Sequence, residues 1–164
     1  KGKAPLISVF GGKITTYRKL AEAATDKLCQ FFPEAGGRWT KKGVLPGGDF
    51  ANHEALEETL RRDYPWLTEK VISRYDRTYG TTSYDILRNC TSMEDLGIHF
   101  AGTLYEREVE HLVKNEWAMT SEDILWRRTK QGLYASDSDI ESLERYLMKT
   151  VTTETRKTAL HHSA

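Results

Sequence analysis

From Thr16 onward, apolar residues recur three and four places apart. Tyr17, Leu20, Ala21, Ala24, Leu28 and Phe31 form one stripe, the spacing of an amphipathic helix. Thr15 or Thr16 is placed to cap it and Pro33 to stop it. Asn52 is placed to cap a helix carrying Leu56, Leu60 and Tyr64, which Pro65 ends. Pro65 also suits the first turn of the next helix, which carries Leu67, Val71 and Tyr75 and ends near Gly80. Tyr105, Val109, Leu112, Val113 and Trp117 make a further stripe, and Ile140, Leu143, Leu147 and Val151 make the last. Ahead of them, Leu6-Ile7-Ser8-Val9-Phe10 lies between Pro5 and Gly11-Gly12 and reads as a short strand. The glycine-rich stretch 34–49 reads as a long connection.

Five positions repeat a helix-start signal, a hydroxyl residue followed three places later by a carboxylate. They are Thr82 with Asp85, Ser92 with Asp95, Thr103 with Glu106, Thr120 with Asp123, and Ser136 with Asp139. In such a box the hydroxyl accepts from an orphan backbone N–H and the acid reaches back to the cap. The expected fold is all-α, a bundle of about seven helices with one strand at its front edge. That strand needs a sheet to satisfy its backbone, and the rest of the chain offers no obvious one.

Composition narrows the classes. The chain has 164 residues, enough for one domain and hardly two. Lysine plus arginine and aspartate plus glutamate both number 24. This balance argues against nucleic acid or an anionic membrane surface as the main partner. No apolar run approaches the roughly 18 residues of a membrane span. Two cysteines, Cys29 and Cys90, do not make a disulfide scaffold. His99 and His111 lack the Cys or His partners of a zinc site, and no metal is expected. The first methionine is Met93, so the sequence is expected to be a piece of a longer chain.

The segment with most chemical content runs from Phe10 to Arg18, where a strand enters paired glycines and then opens a helix. Glycines allow close backbone approach and positive φ. A helix N-terminus presents free N–H groups, and Lys13 adds a full charge. One reading is an anion or polarised-oxygen site; the other is a plain strand–turn–helix corner with a surface lysine. The spacing fits neither the dinucleotide glycine fingerprint nor a Walker A loop. In Ile124-Leu125-Trp126-Arg127-Arg128-Thr129-Lys130, helical spacing puts Arg128 on the apolar face with Ile124 and Leu125. A guanidinium there needs a carboxylate, carbonyls or a ligand anion. A structural ion pair at a domain contact is the favoured reading.

These residues also carry a family resemblance. Ser8-Val9-Phe10-Gly11-Gly12-Lys13-Ile14-Thr15-Thr16-Tyr17-Arg18-Lys19-Leu20-Ala21-Glu22 resembles the junction motif of FAD-dependent glycerol-3-phosphate dehydrogenases. Leu45-Pro46-Gly47-Gly48, Arg77-Thr78-Tyr79-Gly80, Glu116-Trp117-Ala118 and Leu125-Trp126-Arg127-Arg128-Thr129-Lys130-Gln131-Gly132 resemble the carboxyl-terminal part of the same family, in the same order. The likeness is to the aerobic, respiratory branch and covers the chain to about Thr152.

The resemblance implies a two-part enzyme. Residues 1–16 would be the end of a flavin-binding domain and its junction, and residues 17–164 a helical carboxyl-terminal domain. The parent would oxidise sn-glycerol 3-phosphate to dihydroxyacetone phosphate and pass electrons to quinone, from the cytoplasmic face of the inner membrane. Gly11, Gly12, Lys13, Ile14 and Thr15 would line FAD. Lys13 would be catalytic, acting on reduced flavin or on a substrate oxygen. Arg18 and Arg128 would serve contacts between domains. The piece alone is expected neither to turn over nor to hold FAD. The rival expectation is a helical interaction or self-association module.

Overall fold

The computed structural model describes residues 4–161, with side chains described through residue 150. The chain divides into two compact units, Lys1–Leu45 and Pro46–Ala164. In the first unit, a 3₁₀ turn at Ile14–Thr16 leads into helix α1, Tyr17–Cys29. The predicted stripe is helical, but nothing in α1 is buried; Tyr17 and Phe31 remain more than half exposed. Thr16 does not cap α1 with its side chain; its hydroxyl instead donates to the Lys13 carbonyl at 3.2 Å. The helix stops at Cys29, four residues before Pro33, through turn hydrogen bonds from Phe31 N to Leu28 O and from Phe32 N to Cys29 O.

The strand expected at Leu6–Phe10 is not formed. Residues 4–13 adopt no regular secondary structure, since a strand exists only through the ladder it makes with a neighbour.

The second unit holds the core. Helices α2 (His53–Asp63), α3 (Glu69–Tyr79), α4 (Ser83–Ile86), α5 (Glu106–Asn115) and α6 (Asp137–His161) surround one hydrophobic cluster. Leu56 and Leu60 from α2, Val71 and Tyr75 from α3, Val109 and Leu112 from α5, and Leu143 and Leu147 from α6 are all buried in it, as the stripes predict, and Ile72 of α3 joins them. Val151 lies beyond the residues whose side chains are described. Asn52 caps α2 as expected, its Oδ1 accepting from Ala55 N at 2.9 Å. Pro65 ends that helix but does not start the next. Residues 64–68 form a turn, and Thr68 caps α3, where Val71 N donates to its hydroxyl at 3.4 Å.

Among the described residues the one small sheet is an antiparallel hairpin, β1 (His99–Ala101) with β2 (Leu104–Tyr105). His99 pairs with Tyr105 and Ala101 with Leu104, with an irregularity between them. The architecture is therefore all-α apart from this hairpin.

Three of the five helix-start boxes form. Asp95 Oδ2 accepts from Thr91 N at 2.7 Å and Ser92 N at 3.0 Å. Asp123 Oδ2 accepts from Thr120 N at 3.0 Å, and Asp123 N returns to Thr120 Oγ1 at 3.2 Å. Asp139 Oδ2 accepts from Ser136 N at 2.9 Å, and Asp139 N donates to Ser136 Oγ at 3.3 Å. The other two fail for identifiable reasons. Thr82 has helical φ and ψ, whereas a cap needs extended backbone. Thr103 lies in the hairpin turn, and the Glu106 carboxylate accepts from Ile98 N at 3.0 Å.

Candidate functional site

Gly11 and Gly12 both have positive φ, +77° and +135°. A Cβ on Gly11 would meet nothing within 4 Å, so its positive φ, and not packing among the described residues, calls for glycine there; a Cβ on Gly12 would meet Leu20 Cδ2 at 3.2 Å. Residues 8–17 are exposed, with Phe10 and Ile14 at 94% and 87%. Lys13 is extended (φ −120°, ψ 139°) and exposed. The corner is thus an open backbone edge with a cation at the start of a helix. Such an edge leaves room for close backbone approach by a group from outside, and the cation favours a negatively charged or polarised one. Gly11, Gly12, Lys13, Ile14 and Thr15 are brought together because they are contiguous.

Arg18 is turned into its own unit. Its Nη1 donates to Glu22 Oε1 at 2.7 Å and to Thr40 Oγ1 at 3.4 Å. The Thr40 hydroxyl also donates to Glu22, and this bond, with Arg18 beside it, holds the Glu22 carboxyl below the usual range.

Arg128 sits at the end of a π-helical turn, Asp123–Arg128. The widened turn closes with Thr129 N on the Ile124 carbonyl at 3.0 Å, reinforced by the Thr129 hydroxyl at 2.7 Å. Ile124 and Leu125 are buried, whereas the Arg128 side chain is 39% exposed. The π register accounts for the departure from ordinary helical spacing. Arg128 Nη2 donates to the Glu116 carbonyl at 2.6 Å and Nη1 to the Glu116 carboxylate at 3.2 Å. Trp117, expected on the α5 stripe, has φ +55° and is 86% exposed, because α5 ends at Asn115.

Within the second unit, four of the five segments that carry the resemblance meet in two pairs. The Gly47 carbonyl accepts from Thr81 N at 3.0 Å, joining the Pro46-Gly47-Gly48 loop to the end of the Arg77–Gly80 segment. The Arg128–Glu116 bonds join the other two.

A buried polar network escaped sequence reasoning. Glu108, fully buried, accepts from Arg74 Nη1 at 2.6 Å and Nη2 at 2.5 Å, and from the Tyr79 hydroxyl at 2.5 Å. Burial pushes the Tyr79 phenol far up, with the Glu108 charge adding to it. Glu106, Glu108 and Glu110 alternate in a way that resembles a solvated face. The signal that could have separated Glu108 is its place beside Val109 and Leu112 on the buried side of α5. His111 is half-buried; its Nδ1 accepts from Asn115 Nδ2 at 3.1 Å, while Nε2 is buried without a partner. Desolvation lowers its pKa. Among the described residues, no group of three or more His, Cys, Asp or Glu side chains is arranged to hold a metal. Among them too, no helix is long and apolar enough to cross a membrane.

Comparison with known proteins adds relatives. A family model described as the C-terminal domain of alpha-glycerophosphate oxidase matches residues 38–156. Glycerol-3-phosphate dehydrogenase of Pseudomonas aeruginosa is 50% identical over 147 residues, covering 89% of this chain and 29% of that protein. Aerobic glycerol-3-phosphate dehydrogenase of Escherichia coli K12 is 46% identical over 149 residues, covering 90% and 30%. D-erythritol 1-phosphate dehydrogenase of Brucella abortus is 46% identical over 140 residues, covering 84% and 28%. The chain spans about three-tenths of the length of these curated relatives.

Proposed function

Since the chain belongs to the family of the C-terminal domain of alpha-glycerophosphate oxidase, we propose that it is the helical carboxyl-terminal part of an FAD-dependent glycerol-3-phosphate dehydrogenase. In this reading residues 1–16 complete a flavin-binding domain, and residues 17–164 form the helical domain beside it. The parent enzyme oxidises sn-glycerol 3-phosphate to dihydroxyacetone phosphate, with electrons passing to quinone at the cytoplasmic face of the inner membrane. The observation that carries this is the exposed Gly11-Gly12-Lys13 corner, at the front of a chain whose relatives carry such names.

The residues fit a flavin edge. Positive φ at Gly11 and Gly12 turns the backbone outward without a side chain in the way. Ile14 and Thr15 continue that edge. The group these residues would hold, FAD, would supply the acceptor for the hydride that leaves C2 of the substrate. Lys13 holds a positive charge where negative charge develops, on the flavin side or on a substrate oxygen, a role that a neutral side chain does not fill. Arg18 and Arg128, each already tied to a glutamate of its own unit, keep an exposed fraction for contacts between domains.

Lys13→Met in the intact enzyme tests the assignment. Turnover is expected to fall by about 10²-fold. Flavin content and melting temperature are expected to hold, since an exposed charge adds little to stability. Loss of melting temperature in step with activity would contradict the catalytic role. The Brucella relative's name supports a second substrate reading, D-erythritol 1-phosphate. The ratio of kcat/KM for the two polyol phosphates separates them.

A further inference from the structure

The helical unit carries a cationic groove that the proposed reaction does not use. It encloses about 890 Å³ and is lined from three directions, a size typical of small-molecule sites. Helix α3 contributes Lys70, Arg74 and Arg77, the hairpin contributes Thr103, and the segment after the π turn contributes Lys130 and Gln131. No carboxylate lines it. Lys70 and Arg77 lie seven residues apart on one face of α3, about 10 Å along its axis. Lys130, in the left-handed conformation (φ 58°), donates its ammonium to the Trp126 carbonyl. Among the described residues none of Lys70, Arg77 and Lys130 has a carboxylate within ion-pair distance. Arg74 differs from them, since Glu108 neutralises it from behind.

Gln131 supplies a second, independent sign. It is 5% exposed. Its Oε1 accepts from Thr103 N at 2.9 Å and Thr103 Oγ1 at 3.3 Å. Because a backbone N–H can only donate, the amide orientation is fixed with the oxygen toward Thr103. The Thr103 hydroxyl in turn accepts from Arg74 Nε at 2.6 Å, and Arg74 is anchored on buried Glu108. That chain of bonds locks the amide and leaves Gln131 Nε2 without a partner among the described residues. Gln131 Nε2 is not among the buried unpartnered side-chain atoms, so it opens to solvent, and a donor locked in place beside three cations of the groove lining is set for an acceptor. The donors outnumber what the two oxygens of a carboxylate would engage, and they suit the three oxygens and higher charge of a phosphate group. We propose that this groove binds a phosphate group, carried by a soluble phosphorylated molecule or by an anionic lipid headgroup.

Titration of the ¹⁵N-labelled chain with inorganic phosphate and pyrophosphate, against chloride at matched ionic strength, tests the site. The Gln131 side-chain amide is expected to shift saturably with phosphate and not with chloride. Vesicles of phosphatidylglycerol, compared with phosphatidylcholine, separate the sources. Binding of phosphate without preference for the anionic vesicles supports a soluble ligand. Sedimentation with phosphatidylglycerol that phosphate competes away supports a lipid headgroup. Arg77→Ala with Lys130→Gly, the latter tolerating positive φ, is expected to weaken binding by at least about tenfold with an unchanged melting temperature. Arg77→Gln alone serves if the double variant does not fold, with a smaller loss in the same direction. No saturable phosphate shift together with no vesicle preference would overturn the proposal, as would variants that bind like the parent chain.

Discussion

A methyl group added at Gly80 would sit 1.9 Å from the Gly47 carbonyl oxygen, and one at Gly47 would sit 2.1 Å from the Tyr79 carbonyl. Both residues also have positive φ. Gly80→Ala therefore combines a backbone clash with left-handed strain, and a loss of about 2–4 kcal/mol is expected in urea unfolding of the chain. A change under 0.5 kcal/mol would mean that the two loops can separate freely. Gly11 is the contrary case, with positive φ and empty space beyond it, so there the left-handed backbone alone favours glycine. His111 makes a pH prediction at the same scale. Its folded pKa lies below the ordinary value because burial disfavours the charged ring. The folded state then binds the proton less well than the unfolded state. Stability is lost as pH falls from about 6.5. His111→Phe is expected to flatten melting temperature against pH between 5 and 7 relative to the parent chain. An unchanged slope would sink this.

Capping sets the acid limb at the level of elements. Asp95, Asp123 and Asp139 each accept backbone N–H donors at a helix start, and all three carboxyls lie below the usual Asp value. For Asp123 the Met119 N–H leads, followed by Arg127 and the Thr120 hydroxyl. Groups depressed in this way contribute stability that is complete above the unfolded value of about 3.9 and is lost as pH falls through their folded values. Asp123→Asn keeps an acceptor but not the charge, so it is expected to lower the midpoint at pH 6 and to reduce the dependence on pH below 4. A parallel pH profile for variant and parent would contradict this. Helices α2, α3, α5 and α6 were legible because burial on one face leaves a 3.6-residue period. The hairpin was not: its strands are three and two residues long, too short for a period of two to register. Thr103 and Glu106 also imitate a helix start there. The π turn was hidden for a related reason, since Ile124, Leu125 and Arg128 carry ordinary helical spacing and only the Thr129–Ile124 closure reveals the wider register.

At the scale of the whole molecule, two surfaces of the first unit stand open. The α1 stripe is helical and amphipathic, yet none of it is buried, and the glycine corner ahead of it is open. Both are what the proposed reading expects, in which these residues meet polypeptide and cofactor of a larger enzyme. Sequence reasoning singled out the corner as a candidate because glycines and a lysine at a helix start are a local signal, although the strand expected before it does not form. It missed the Glu108–Arg74–Thr103–Gln131 chain because its partners are 28 to 34 residues apart. The most direct measurement replaces the carboxyl-terminal segment of the P. aeruginosa relative with this chain and follows glycerol 3-phosphate oxidation by an artificial electron acceptor. The expected chimera holds one FAD and turns over within about tenfold of that relative, as 50% identity over this segment allows. A folded chimera with full FAD and no glycerol 3-phosphate oxidation would contradict the account.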